Sequence, residues 1–227
     1  MKRISLNASN HDLCHKQHVM KKCYKYPSLN VATALLVALL LAACSSQPQL
    51  PKLEVDAIIL AFGDSLTYGS GVSEDESYPA VLSRLTGMAV INAGVPGEVT
   101  VAGLMRLPAI LDEVEPQLMI LCHGGNDMLH KENLTQTAEN IRQMILMARQ
   151  RGVSVLLLAV PRPGILLSPA DFYEQVAEEM KIPIDSDVLP DVLADRSMKS
   201  DTIHPNSDGY RLMAEAVFQL MKDVGAY

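Results

Sequence analysis

The sequence predicts an α/β domain in which five parallel strands form a sheet that helices cover on both faces. Two observations carry this prediction. Short, nearly continuous apolar runs recur along the chain, as expected of strands buried on both faces. Amphipathic segments separate these runs, and such an alternation builds a parallel sheet. The roughly 180 residues after the leader described below suffice for one domain with a substantial core.

Five apolar runs are predicted to be the strands of this sheet. The last run is weaker than the others because it is only about three residues long. Ligands of such folds bind at the carboxyl ends of the strands, so the residues that follow each run are the first candidates for a site. The predicted strands are residues 55–62, 88–92, 118–122, 153–160 and 182–184.

Four segments have apolar residues at helical spacing. In the second of them, Leu104 and Leu111 lie on one face, and Pro108 is expected to kink the helix. The third is the clearest, since its apolar residues step by four, three, four and three. We expect these stripes to face the core. The predicted helices are residues 78–85, 101–114, 134–148 and 213–224.

Residues 1–43 are predicted to be a signal segment for export. Their apolar run, residues 31–43, follows several lysines and is shorter than the about 20 residues that a transmembrane helix needs. Met20 is an alternative start, because the residues from that point have the normal order of basic, apolar and small side chains.

Cys44 ends this segment within the sequence LAAC, which resembles the lipobox of bacterial lipoproteins. In that motif the signal is cut before the Cys, and acyl chains on the protein anchor it to a membrane. The alternative is an ordinary cleaved signal with an incidental Cys. We expect lipidation of Cys44, a tether over residues 44–53 and a folded domain over residues 54–227. Ser45, in place of Asp, favours the periplasmic side of the outer membrane in a bacterial cell envelope.

The charge of the folded part excludes some partners. The chain has a formal net charge of −7, but the residues after Ala43 carry 13 basic against 25 acidic side chains, a balance of −12. Such an acidic domain lacks the excess of basic side chains that binding to nucleic acid requires. It also gains nothing from anionic lipid headgroups, so any membrane attachment is expected through Cys44 alone.

The sequence GDSL, residues 63–66, directly follows the first predicted strand. Its serine, Ser65, lies at the carboxyl edge of the sheet, where its backbone N–H is free to face a ligand. The segment lacks the Gly-x-Ser-x-Gly pattern of the α/β-hydrolase nucleophile elbow. Taken alone, it is typical of a structural turn.

The sequence DTIHP, residues 201–205, contains a candidate base for that serine. A hydroxyl needs a general base to become a nucleophile near neutral pH, and the imidazole of His204 is suited to this task. Asp201 precedes His204 by three residues, so one tight turn brings its carboxylate to the ring and fixes the tautomer. The alternative is a surface loop in which both residues are incidental.

Two further segments follow predicted strands. The glycines of GGND, residues 124–127, let the backbone approach a ligand, and the Asn126 amide can donate to a developing oxyanion. In NAGVPG, residues 92–97, Gly97 can offer a backbone N–H to the same oxygen. Each segment is also typical of a plain turn, since Gly, Asn and Asp favour turns.

These four segments, in this order, resemble the sequence blocks of the SGNH (GDSL) hydrolase superfamily. The stretch 90–129, with GLMRLPAIL and the GGND turn, is similar to the bacterial thioesterase I/lysophospholipase L1/arylesterase branch. The resemblance extends from about residue 58 to the C terminus. It implies a flavodoxin-like three-layer α/β/α fold, in agreement with the alternation of strands and helices.

The resemblance also implies roles for residues of this chain. Ser65 corresponds to the nucleophile and His204 to the base, and Asp201 orients His204. The Ser65 N–H, the Gly97 N–H and the Asn126 side chain correspond to the oxyanion hole. Neither a metal ion nor an organic cofactor is implied.

Two departures from the family pattern lie at the GGND turn. Met128 stands where relatives commonly have Gly, so the following loop is expected to be stiffer or more apolar. His123 stands where relatives often carry an apolar residue, and we expect it to be structural.

Asp64 and Asp127 are expected to brace their turns through hydrogen bonds and not to act as catalytic acids.

The predicted function is therefore a serine ester hydrolase that acts through an acyl-enzyme on a small-molecule acyl ester. An aryl ester, a thioester and a lysophospholipid all fit this prediction. Residues 161–167, PRPGILL, are expected to border the pocket, and their apolar end favours an acyl chain over a sugar. The alternatives are a carbohydrate O-acetylesterase and a non-catalytic envelope lipoprotein with a hydrolase-like fold. The oligomeric state is left open.

Overall fold

The computed structural model describes residues 47–164 and 167–227. Within these residues, five parallel strands form a single sheet in the order β2-β1-β3-β4-β5. The alternation of apolar runs with amphipathic segments predicted this arrangement, and the fold class is confirmed. The strands are β1 (Ile58–Gly63), β2 (Ala89–Gly94), β3 (Leu118–Cys122), β4 (Ser154–Leu158) and β5 (Ile184–Asp185).

Helices connect the strands and cover the sheet. Their apolar faces contribute many of the fully buried side chains, and the central strand β3 is buried along its whole length. The α-helices of the described residues are α1 (Ser65–Tyr68), α2 (Tyr78–Thr86), α3 (Thr100–Val114), α4 (Gly125–Leu129), α5 (Leu134–Gln150), α6 (Asp171–Met180), α7 (Val188–Ala194) and α8 (Ser207–Asp223). Two short 3₁₀ helices are Glu74–Glu76 and Arg196–Met198.

The register of the sheet brings three loops to one place. Gly63, the last residue of β1, pairs with Gly94 on β2 and with Cys122 on β3. The three strands therefore end level with one another, and the loops that follow them emerge side by side. The strand order changes direction between β1 and β3, and the crevice at such a switch point is where ligands of these folds bind.

Most differences from the sequence prediction lie at strand and helix ends. Residues 55–57 form a turn, in which the Ala57 N–H donates to the Glu54 carbonyl at 3.1 Å, so β1 starts later than predicted. The helix α3 continues on both sides of Pro108. The sequence missed α6 and α7 as well as the one-turn helices α1 and α4.

Residues 47–53, which the sequence assigns to a tether, lie against the domain. The Gln47 side chain exchanges two hydrogen bonds with the backbone of Ile184 at the start of β5. The N–H groups of Leu50 and Leu53 donate to carbonyls of the C-terminal segment, at 2.8 and 2.9 Å. The predicted signal segment and Cys44 lie outside the described residues. Among the described helices, none has the length and hydropathy that a membrane span requires.

Candidate active site

Ser65 is the first residue of α1, two residues after the end of β1. The Asp64 side chain caps this short helix by accepting a hydrogen bond from the Leu66 N–H at 3.0 Å. The Ser65 N–H has no acceptor within the helix, because the first N–H groups of a helix lack partners. Ser65 therefore presents both its hydroxyl and its backbone N–H at the carboxyl edge of the sheet.

The hydroxyl of Ser65 lies within hydrogen-bonding distance of His204. The distance from Ser65 Oγ to His204 Nε2 is 3.0 Å, although the two residues are 139 positions apart. On the other side of the ring, His204 Nδ1 is 2.7 Å from Asp201 Oδ2. A carboxylate can only accept, so Nδ1 carries the proton and Nε2 is left to accept from the Ser65 hydroxyl. The structure thus brings together the three side chains that the sequence singled out.

Asp201 is itself held by the turn that the sequence predicted. Its Oδ1 accepts from the backbone N–H groups of Ile203 and His204, each at 2.8 Å. Partial burial acts to raise the pKa of Asp201, but the hydrogen bond from the His204 ring and these two backbone bonds outweigh it and lower the pKa. Asp201 is therefore a carboxylate at neutral pH, as an orienting partner of histidine must be.

Contacts other than those among Ser65, His204 and Asp201 hold the loop after α1 and the loop before α8 together. The Tyr210 hydroxyl, on α8, donates to the Ser70 carbonyl at 3.0 Å, just after α1. The loop with His204 is closed by a bridge between Lys199 and Pro205 and by a hydrogen bond from the Ser200 N–H to the His204 carbonyl at 3.1 Å. These contacts fix the imidazole over α1.

Asn126 lies near the Ser65 side of the crevice, and its side chain is oriented by a neighbouring loop. Its Nδ2 donates to the Glu98 carbonyl at 3.0 Å, which leaves the second amide N–H for another acceptor. Gly97 directly precedes Glu98 and has a φ of 78°, in the left-handed region. Its N–H makes no hydrogen bond to another described residue. Gly97 itself does not line the cleft described below.

The two aspartates beside these segments brace their turns. Asp127 is buried and accepts from the Thr100 N–H, from the Thr100 hydroxyl and from the Thr137 hydroxyl. Asp64 is also buried, and burial raises its pKa. Its Oδ1 caps α1, whereas its Oδ2 has no hydrogen-bond partner among the described residues. Both side chains therefore have the hydrogen-bonding role that the sequence predicted.

A cleft of about 300 Å³ opens beside Ser65 and His204. Most of its other walls are apolar, and part of them comes from the segment after β4, where the sequence placed a pocket border. Residues 165 and 166 of that segment lie outside the described residues. The sequence did not assign the apolar side chains of Leu129, Leu193 and Ile203 to the cleft wall. The lining side chains include Leu66, Leu129, Val160, Pro161, Pro163, Leu167, Leu193, Lys199 and Ile203.

A buried ionic cluster behind the Asn126 loop was missed by the sequence analysis, apart from the expectation that His123 is structural. His123 is fully buried, and its Nε2 is 3.1 Å from Glu98 Oε2. Arg106 donates to both Glu98 oxygens at 2.7 Å. The sequence contained one weak signal, which is the glycine at position 103 inside a predicted helix. In the structure, a Cβ atom on Gly103 would come within 2.5 Å of His123 Nε2.

Fold and site together define a carboxylic ester hydrolase of the α/β class. The chain belongs to the GDSL-like lipase/acylhydrolase family, whose sequence profile matches residues 61–212. Among the described residues, no group of three or more His, Cys, Asp or Glu side chains is arranged to hold a metal ion.

Individual relatives support this assignment. The chain is 30% identical to thioesterase 1/protease 1/lysophospholipase L1 of Escherichia coli strain K12 over 165 residues, which cover 69% of this chain and 79% of the relative. It is 29% identical to the esterase TesA of Pseudomonas aeruginosa over 196 residues, with 82% and 98% covered. Among solved structures, the crystal structure of a protein named TesA superposes with a TM-score of 0.66 at 28% identity, and the match covers 74% of this chain and 99% of that one.

The brace at Asp127 leads to a stability prediction. Replacement of Asp127 by Ala leaves the buried Thr100 N–H and Thr100 hydroxyl without an acceptor, whereas the Thr137 hydroxyl keeps the Asn133 carbonyl. We therefore expect the free energy of unfolding to fall by roughly 3 kcal/mol. Urea denaturation followed by circular dichroism measures this change. Asp112→Ala, which removes an exposed partner of Arg151, is the control and should stay close to the wild type. Equal decreases in the free energy of unfolding of the two variants would contradict the structural role of the Asp127 hydrogen bonds.

Proposed function

We propose that Ser65 is the nucleophile of this esterase and that His204, oriented by Asp201, is its general base. The observation that carries the proposal is the continuous hydrogen-bonded chain from Asp201 through His204 to the Ser65 hydroxyl, at 2.7 and 3.0 Å. Positioned nucleophile, base and orienting carboxylate are the parts that acyl transfer needs.

The reaction proceeds through an acyl-enzyme. Ser65 Oγ attacks the carbonyl carbon of the ester while its proton passes to His204 Nε2. The tetrahedral intermediate collapses when Nε2 gives that proton to the leaving oxygen or sulfur, and the acyl group stays on Ser65. Water then attacks the acyl carbon and loses a proton to Nε2. Collapse of the second intermediate releases the acid and returns the proton to Ser65.

The oxyanion of each intermediate is proposed to lie between Ser65, Gly97 and Asn126. The N–H of Ser65 begins a helix, and the N–H of Gly97 has no acceptor among the described residues. Asn126 keeps one amide N–H after it donates to Glu98. Donors that are oriented before the reaction stabilise developing charge without a reorganisation cost.

The preferred substrate is proposed to carry a medium-length acyl chain. The cleft wall next to Ser65 consists largely of aliphatic side chains and prolines, which favour a hydrocarbon over a hydroxyl-rich sugar. The names of the relatives, a thioesterase and lysophospholipase from one organism and an esterase from another, support an acyl ester or thioester as the reacting group. A carbohydrate O-acetylesterase is the second candidate, which the acyl-chain profile below distinguishes.

The site of action is proposed to be the bacterial cell envelope. The basic and apolar residues before Cys44 and the LAAC sequence support export and lipidation of that cysteine. Ser45 supports the periplasmic side of the outer membrane. The lipid on Cys44 would then be the contact of this acidic chain with the membrane.

The role of Ser65 is tested by its replacement with Ala. Because the nucleophile is lost, we expect kcat for a p-nitrophenyl ester to fall by about 10⁴-fold or more, with unchanged thermal unfolding. Steady-state kinetics and circular dichroism measure both quantities. Ser73→Ala, at an exposed serine outside the cleft, should keep wild-type kinetics. Wild-type turnover in Ser65→Ala would exclude the mechanism and would reopen the possibility that the fold serves binding alone.

The acyl preference is tested by kcat/KM for acetyl and octanoyl p-nitrophenyl esters. We expect the wild type to prefer octanoyl, and Leu129→Asn to reduce that preference about three- to tenfold, since an apolar wall becomes polar. Leu146→Asn is a matched control, because Leu129 and Leu146 are 40% and 39% exposed and only Leu129 lines the cleft. A wild type that prefers acetyl would favour the carbohydrate O-acetylesterase.

Lipidation is tested by metabolic labelling with an alkyne analogue of palmitate in a Gram-negative host. The full chain should incorporate the label and fractionate with the outer membrane, and Cys44→Ser should lose both properties, because the thiol is the acceptor. Cys122→Ser is the control and should keep the label, since Cys122 is buried in the fold. Label that persists in Cys44→Ser would reject this cysteine as the anchor.

A further inference from the structure

Three charged or titratable side chains form a cluster between α3 and the ends of β1, β2 and β3. These are Glu98, Arg106 and His123, which we call the back cluster. Glu98 and His123 are buried, and the Arg106 side chain is 24% exposed. None of the three lines the cleft beside Ser65. Chemistry on the substrate therefore cannot explain why charges are buried here, where an unpaired charge is costly.

The hydrogen bonds of the back cluster determine the state of its histidine. The Gly124 N–H donates to His123 Nδ1 at 3.0 Å, and a backbone N–H can only donate. Nδ1 is therefore unprotonated, and Nε2 carries the proton that it donates to Glu98 Oε2 at 3.1 Å. His123 thus links the first glycine of the GGND turn to the Glu98 carboxylate.

Arg106 links the same carboxylate to two strand ends. Besides its bonds to Glu98, it donates to the Ala93 carbonyl at 2.9 Å and to the Gly63 carbonyl at 3.2 Å. Its guanidinium carbon is 4.2 Å from the ring centroid of Phe62. Because Gly63 is two residues before Ser65, one side chain connects the nucleophile's strand to the Glu98 loop.

Glu98 remains ionised across the pH range of enzyme assays. Burial acts to raise the pKa of Glu98, but the hydrogen bonds from His123 and Arg106 outweigh it and lower the pKa to about 2. The pair of carboxylate and guanidinium therefore persists, and its geometry is set by bonds to both oxygens.

The backbone of Glu98 is joined to two donors of the proposed oxyanion hole. Its carbonyl accepts from Asn126 Nδ2 at 3.0 Å, and its N-terminal neighbour is Gly97. A shift of the Glu98 main chain would move the Gly97 N–H and would also release the Asn126 amide. Displacements of such donors by fractions of an ångström weaken transition-state stabilisation.

We propose that Glu98, held by Arg106 and His123, is a positioning residue that sets the two oxyanion donors Gly97 and Asn126. This inference rests on the oxyanion roles proposed above. The back cluster does not line the cleft, and it acts through the position of the main chain from Gly97 N–H to Glu98 C=O.

A double-mutant cycle in the full domain tests the proposal. The variants are Glu98→Gln, Asn126→Ala and the two combined, with kcat and KM measured on one p-nitrophenyl ester. We expect Asn126→Ala to lower kcat by about 10²-fold. Glu98→Gln, which removes the charge that Arg106 holds, should lower kcat about tenfold and leave KM within about twofold. In the Asn126→Ala background, the loss from Glu98→Gln should shrink to about threefold, because one donor that it positions is gone.

The control is Glu179→Gln, which makes the same carboxylate-to-amide change at the 2.7 Å bond to Arg142, away from the cleft. It should leave kcat and KM unchanged. If Glu98→Gln does not fold, as judged by circular dichroism, Arg106→Lys replaces it in the cycle. Lysine keeps the charge but not the paired donors, and the same dependence on Asn126 is expected.

Two outcomes separate failure of this inference from failure of the proposed function. Equal fold losses from Glu98→Gln in both backgrounds, or a rise in KM with unchanged kcat, would reject the positioning role and leave the oxyanion hole intact. Wild-type kcat in Asn126→Ala would instead overturn the proposed role of Asn126, and with it the basis of the inference.

Discussion

The hydrogen bond between Ser65 and His204 is the contact on which the rest of the site depends, because it joins segments 139 residues apart. The sheet supplies one side of this contact, since β1 ends level with β2 and β3. The C-terminal helix α8 supplies the other, through the Tyr210 hydroxyl on the Ser70 carbonyl. Both halves of the fold must therefore form before the hydroxyl can share its proton, although neither segment has a recognisable function alone.

Much of the fold could be predicted because burial leaves a local trace in the sequence. The central strand β3 coincides with its apolar run, and the long helices α5 and α8 follow their stripes. The signals failed where a helix is short or where one residue type fits two structures. The helix α6 has only 10 residues, and its buried stripe runs from Phe172 to Ala177, little more than one turn. Pro190 lies in the first turn of α7, where proline is tolerated. In the sequence alone, the same proline indicates the end of a helix.

The triad and the oxyanion candidates could be found because each follows a strand or lies in a short motif. The back cluster could not, because its members come from a loop, a helix and a strand end, and only the folded register brings them together. Glu98 has no motif of its own, and Arg106 reads as an ordinary polar residue of α3. The other apolar walls of the cleft were hidden for the same reason, since Leu129, Leu193 and Ile203 come from separate loops and helices.

The most direct test of the central contact is to locate a covalent adduct after reaction with a fluorophosphonate, by tandem mass spectrometry of the wild-type chain. A hydroxyl that gives its proton to His204 is far more nucleophilic than any other serine or threonine of the domain. We therefore expect a single adduct, on Ser65, with labelling strongly slowed in His204→Ala. An adduct on another residue, or ester hydrolysis that continues with Ser65 unmodified, would contradict the assignment of this serine.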